Sequence, residues 1–143
     1  MNMKMTKQKL QKKALVVDDN RMVRDFYLKY GHGRFDCPQV SPDTLKILEN
    51  LLRRNEYKVI LMDGNLGLFS EEYFDGKILV NRIKQGFYGK VNQTTPILTI
   101  SSESALDEIV NGRGPNAKLA VYNPEFRKEV IQELEGIAQR YLS

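Results

Sequence analysis

The chain has 143 residues, 41% hydrophobic and 28% charged, which fits one folded domain with a core of its own and a soluble surface. No run approaches the length of a transmembrane helix, the Lys-rich start lacks the apolar stretch of a secretory signal, and the lone Cys37 excludes an internal disulfide. The net charge of +4 is local: residues 1–17 carry five lysines and no acid, leaving 17 basic and 18 acidic residues elsewhere. A cytoplasmic protein is expected, with a basic tail over 1–12 and one domain over 13–143. The tail reads most simply as a solvated terminus; attachment to nucleic acid or an anionic surface is the other reading.

In chain order, Ala14-Leu15-Val16-Val17 predicts a first strand, about 14–18, running into Asp18-Asp19. Asn20 is suited to cap a helix in which Met22, Val23, Phe26, Tyr27 and Tyr30 recur at helical spacing and which Gly31 ends. Residues 34–40 predict an edge strand or an irregular segment, because Pro38 removes a ladder donor. Ser41-Pro42-Asp43 starts a second helix with the stripe Leu45, Leu48, Leu51 and Leu52. Val59-Ile60-Leu61-Met62 predicts a strand over 58–63, ending in Asp63-Gly64. A loop over 64–75 contains Gly67, Phe69, Glu71, Glu72, Tyr73 and Phe74. A helix from Gly76 turns Ile78, Leu79, Val80 and Ile83 inward, and 85–96 is a connection.

Further on, Ile97-Leu98-Thr99-Ile100 predicts a strand over 97–101, ending in Ser101-Ser102. A short helix is expected near 104–111, broken by Asn111-Gly112-Arg113-Gly114-Pro115. Leu119-Ala120-Val121-Tyr122 predicts a fifth strand, about 118–122, before Asn123-Pro124. The last helix, about 125–142, turns Phe126, Val130, Ile131, Leu134, Ile137, Ala138 and Tyr141 to one side. The apolar runs are short and do not alternate, as in strands buried on both faces, and such strands belong to parallel sheets. Strands alternating with helices give an α/β fold with helices on both sheet faces.

Open parallel sheets place their sites at the carboxyl ends of the strands. Asp18, Asp19 and Asp63 would converge there with Ser101, Ser102 and Asn123. Alone, the pair Asp18-Asp19 is most simply a turn and helix start. Three crowded carboxylates, however, repel, raise one another's pKa or recruit a cation. An oxygen-only set favours a hard cation, and Mg²⁺ suits a site that shares phosphate oxygens; His32, in a turn, is a poor ligand candidate. A carboxylate beside such a cation can act as nucleophile toward a phosphoryl group, with the Ser101 hydroxyl and the Gly64 amide placed to meet its oxygens.

The order Val-Val-Asp-Asp, Ile-Leu-Met-Asp, Pro96-Ile-Leu-Thr-Ile-Ser101 and Asn123-Pro124 resembles the receiver domain of two-component response regulators, over about residues 13–142. The resemblance implies a doubly wound, flavodoxin-like sheet of five parallel strands in the order 2-1-3-4-5 with five helices. It implies that Asp63 is the phosphoacceptor and that Asp18, Asp19, Asp63 and the Asn65 backbone carbonyl hold Mg²⁺. Ser101 would contact the phosphoryl group. The partners implied are a histidine kinase or phosphotransfer protein and a downstream protein, with a homodimer through strand five and the last helix as a further contact.

The pattern departs from that family in three places. Asn123 stands where the family has a lysine; a unit charge at contact is worth roughly 4 kcal/mol at an effective dielectric near 20, so weaker phosphorylation or weaker coupling is expected. Lys90 and Lys118 are candidate replacements. Ala120 stands at the switch aromatic, with Tyr122 on the same strand face as a substitute beside Ser101, and the Asn123–Pro124 bond is expected to be cis, as in receivers. The loop after Asp63 is longer than the family's and reads as a lid, a partner contact or a folded-back insertion.

The leading reading is a stand-alone, atypical receiver that signals by protein contacts and is not an enzyme beyond slow self-dephosphorylation. The rival reading is a phosphorylation-independent binding or dimerisation module. A phosphohydrolase would want a second acid soon after Asp63, which Gly64-Asn65 does not supply.

Overall fold

A computed structural model describes residues 13–69, 75–101 and 106–143. Five strands form one sheet: β1 (Ala14–Val17), β2 (Phe35–Asp36), β3 (Val59–Met62), β4 (Ile97–Thr99) and β5 (Gly112–Arg113). All neighbours are parallel and the order is β2-β1-β3-β4-β5. The helices among the described residues are α1 (Arg21–Tyr30), α2 (Leu45–Arg54), α3 (Asp75–Lys84), α4 (Ala117–Tyr122) and α5 (Arg127–Tyr141). Short 3₁₀ turns over Pro42–Thr44 and Pro124–Phe126 lead into α2 and α5.

Because successive strand residues point to opposite faces, β1 and β3 supply two cores at once. Leu15, Val17, Ile60 and Met62 meet Leu48 and Leu52 of α2 and Leu79, Val80 and Ile83 of α3. Ala14, Val16, Val59 and Leu61 meet Val23, Phe26 and Tyr27 of α1, Ala117 and Ala120 of α4, and Val130 and Leu134 of α5. Every residue of β1 and β3 is buried, which is why their sequences show no alternation. The Asn20 side chain caps α1, accepting from Met22 N at 2.9 Å and Val23 N at 3.3 Å.

The sequence-based expectations fail chiefly near the end of the chain. Residues 117–122 are helix α4, not a strand, and the fifth strand is Gly112–Arg113, inside the segment expected to break structure. Asn116 caps α4 by accepting from Leu119 N at 3.1 Å, and Ala117 and Ala120 face the core at helical spacing. Gly112 and Gly114 let β5 lie close to its neighbours: a Cβ on Gly114 would stand 3.1 Å from Ile100 and 3.3 Å from Leu61. The described part of the expected 104–111 helix, from Leu106 on, forms turns, with Leu106 buried. The Asn123–Pro124 bond is trans, since the backbone has no cis peptide among the described residues.

Two connections carry order that the sequence only hints at. Between β3 and α3, Leu66 and Leu68 are buried in the core shared with α2 and α3, and Gly67, at φ 65°, reverses the chain between them. Of the same loop, Glu71, Glu72, Tyr73 and Phe74 lie outside the described residues, as do Ser102 and the tail 1–12. In the 85–96 connection, buried Asn92 accepts from Tyr57 N at 2.9 Å. It also donates to Leu52 O at 2.8 Å and Asn55 O at 2.7 Å.

Candidate functional site

The sheet register brings the acids together. Val17 of β1 pairs with Met62 of β3, and Met62 pairs with Thr99 of β4, so the next residues leave the sheet side by side. The Asp63 amide donates to Val17 O at 2.9 Å, which places Asp63 beside Asp18 at the carboxyl edge. Asp18, Asp19 and Asp63 each offer a carboxylate oxygen within 4.8 Å of the others, a set that could hold a divalent cation. The three differ in exposure: Asp18 is buried, Asp63 half-buried and Asp19 exposed.

The crowding shows in the electrostatics. Asp18 is raised from 3.8 to about 7, first by burial and next by the Asp63 charge. Asp19 adds a smaller push upward. The Asn20 amide, donating to Asp18 Oδ1 at 2.8 Å, and the charge of Lys118 oppose the rise. Three carboxylates crowded this closely are short of positive charge, and a hard cation among the oxygens fits that deficit.

The floor of the site is made by glycines. The Gly64 amide donates to Asp63 Oδ1 at 2.9 Å and fixes the carboxylate. Gly64 O accepts from Gly76 N at 3.0 Å, so α3 begins against the end of β3. A Cβ on Gly76 would stand 2.2 Å from Asp63 O, so only glycine fits there. Ser101 is buried, and a Cβ on Gly64 would stand 3.4 Å from its Oγ, so the hydroxyl borders the Asp63–Gly64 turn. Asn65 follows on the exposed side.

The other expected site residues are distributed differently. Asn123 ends α4, where its side-chain amide donates to Leu119 O at 3.3 Å; it does not follow the fifth strand. The comparison of Asn123 with a strand-end lysine therefore fails, because 118–122 is helical. Ala120 is buried in the core, whereas Tyr122 is 55% exposed, so the two do not share a face. The Tyr122 hydroxyl accepts from Asn20 Nδ2 at 3.1 Å and so lies near the acidic edge from the α4 side. Lys90 lies in the connection entering β4 at its amino end, away from that edge. Lys118, in the first turn of α4, is the lysine whose charge reaches Asp18.

Sequence reasoning missed Arg113. It is the last residue of β5, in register with Thr99, and its Nη1 donates to Ser101 O at 2.9 Å while Nη2 pairs with Asp107 at 3.1 Å. A guanidinium thus borders Ser101. The signal was a basic residue among glycines, which the turn chemistry of the segment concealed.

The parallel sheet in the order β2-β1-β3-β4-β5 gives the chain a receiver-like fold. Among solved structures, the Mn²⁺-bound form of the response regulator Rcp1 is similar, at a TM-score of 0.55 and 16% identity, covering 92% of this chain and 95% of that one. A second match is a yeast Spc42 trimeric coiled-coil segment fused to another structure, at a TM-score of 0.49 and 14% identity, covering 90% of this chain and 82% of that one. No protein-family model matches the chain, and no curated protein matches it in sequence. Among the described residues no helix is long and apolar enough to cross a membrane.

Proposed function

We propose that this chain is a phosphoacceptor receiver of a two-component phosphorelay, taking a phosphoryl group on Asp63 with Mg²⁺ and signalling by protein contacts. The observation that carries the reading is the cluster of Asp18, Asp19 and Asp63 at the carboxyl edge of a receiver-type sheet, with oxygens within 4.8 Å. Asp18, Asp19, Asp63 and the Asn65 carbonyl would hold the cation, whose chemistry is to neutralise charge between carboxylates and phosphoryl oxygens.

This chain's own groups do the rest. The Gly64 amide holds the Asp63 carboxylate in place, and one of its oxygens would attack phosphorus. A phosphohistidine of the kinase or phosphotransfer protein would be the donor: the new bond joins the Asp63 oxygen to phosphorus. The phosphorus–nitrogen bond breaks, and the imidazole nitrogen keeps the electron pair and takes up a proton. Ser101 and the Gly64 amide would then face the phosphoryl oxygens, with Arg113, which borders Ser101, and Lys118, whose charge reaches Asp18, as the sources of positive charge. Ser101, anchored through its carbonyl to Arg113, would carry the change to β5 and α4, where Tyr122 contacts Asn20. The role is cytoplasmic signalling, not metabolism. Self-association through α4 and α5 belongs to the same reading.

The test is incubation of the full chain with acetyl phosphate and Mg²⁺, followed by intact mass. One acid-stable, hydroxylamine-labile phosphoryl adduct on the native chain and none on Asp63→Asn is expected. Equal adduct on both proteins, or none on either, contradicts the proposal. With no adduct but intact cation binding, the phosphorylation-independent binding module becomes the better account.

A further inference from the structure

On the opposite sheet face from α1, α4 and α5, four segments meet in a strip of aromatic rings and guanidinium groups. The Arg82 guanidinium of α3 lies 5.1 Å from the Phe69 ring and 4.9 Å from the Phe87 ring. Phe87 meets Tyr88 edge to face at 5.1 Å, and the Arg53 guanidinium of α2 lies 5.5 Å from the Tyr88 ring. The series Phe69–Arg82–Phe87–Tyr88–Arg53 is therefore continuous. The core does not require all of it: Phe87 is 58% exposed, the highest value among the large hydrophobic residues described.

Among the described residues the strip carries two guanidinium groups, Arg53 and Arg82, and one carboxylate, Glu49, beside Tyr88. Neither Arg53 nor Arg82 forms an ion pair among the described residues. The buried Tyr88 hydroxyl lies within reach of both the Arg82 guanidinium and the Glu49 carboxylate. A guanidinium stacked on rings has its edge donors held in a fixed fork, and the fork matches a carboxylate with two parallel bonds. Arginine beside an exposed aromatic ring is also the composition of the energetic centre of protein interfaces.

We infer that this strip docks a protein partner through an acidic amphipathic segment, its carboxylates on Arg53 and Arg82 and its apolar side on Phe87 and Phe69. Single-stranded nucleic acid fits less well, because base stacking needs several accessible rings, and here Tyr88 is 3% exposed and Phe69 half-buried. The surface goes beyond the phosphoacceptor reading and stands without it.

The experiment is an amide and arginine side-chain NMR titration of the full chain with a synthetic amphipathic peptide of Glu and Leu. The same peptide with Gln for Glu, the same with Lys for Glu, and oligo(dT) are run beside it. Saturable shifts at residues 53, 69, 82 and 87 are expected with the Glu peptide. Affinity falls about tenfold for the Gln peptide and for Arg82→Gln or Phe87→Ala, whose side chains can be changed with the fold preserved, as the remaining spectrum will show. Arg82→Lys keeps the charge but loses the fork, and it too binds more weakly. Absence of saturable shifts there, equal binding of the Lys peptide, or preferential binding of oligo(dT) would overturn the inference. Asp63→Asn leaves peptide binding unchanged, which separates this surface from the phosphoacceptor site.

Discussion

At the scale of single residues, Asp18 sets a pH dependence that can be worked out by sign. Its folded-state pKa, pushed up to about 7, lies above the ordinary 3.8, so between those values the folded chain holds a proton that the unfolded chain releases. Without a divalent cation, the contribution of Asp18 to stability is full below pH ~4, is lost as pH rises to ~7, and is then lower by about 4 kcal/mol. Thermal melts in EDTA across that window check the loss, and Asp18→Asn flattens it. Cation affinity runs the other way, rising with pH until Asp18 is ionised, because the ion binds the carboxylate and not the acid. A melting temperature in EDTA with the same pH dependence in the native chain and in Asp18→Asn would contradict the account. Lys118 contributes at the same scale: Lys118→Ala is expected to slow phosphoryl uptake about fivefold, the worth of roughly 1 kcal/mol for a well-hydrated charge. Its readout is the rate of adduct formation at saturating Mg²⁺, and an unchanged rate removes Lys118 from the site.

Among the elements, the connections hold more of the order than their composition suggests. Asn92→Ala leaves the Tyr57 amide and the carbonyls of Leu52 and Asn55 short of their partner, at a cost of about 2 kcal/mol or more by urea unfolding. Gly76→Ala forces a Cβ onto Asp63 O and is expected to destabilise by about 1–3 kcal/mol while disturbing the site, seen as weaker Mg²⁺ binding. The strands β1, β3 and β4 were legible because burial on both faces writes an unbroken apolar run that ends where the chain meets solvent. β5 was not: two residues, Gly112 and Arg113, carry no apolar signal, and a strand of that length is defined by its neighbours. Helix α4 was read as a strand because six residues span too few turns to display helical spacing. Its cap, Asn116 after Pro115, was the available sign. The misreading of Asn123 follows from that single error. Asp18, Asp19, Asp63 and Ser101 were legible as a group because each directly follows or ends an apolar run. Arg113 was hidden because its place depends on a strand that the sequence does not announce.

For the molecule as a whole, the acidic edge and the helices that flank it are joined by a few polar contacts across the sheet. Ser101 is tied to Arg113, and Asn20, next to Asp19, is tied to Tyr122 at the end of α4. On the proposed reading, a charge added at Asp63 would reach β5 and α4 along these contacts. The most direct measurement is amide NMR of the native chain and Asp63→Asn with Mg²⁺ and then beryllofluoride, which mimics a phosphoryl group on an aspartate. Shifts at Asp63, Gly64 and Ser101 that spread to Arg113 and α4, depend on beryllofluoride and vanish in Asp63→Asn are expected. Shifts that stop at Asp18, Asp19 and Asp63 and appear with Mg²⁺ alone would show that the cluster binds a cation without accepting a phosphoryl group, and would contradict the account.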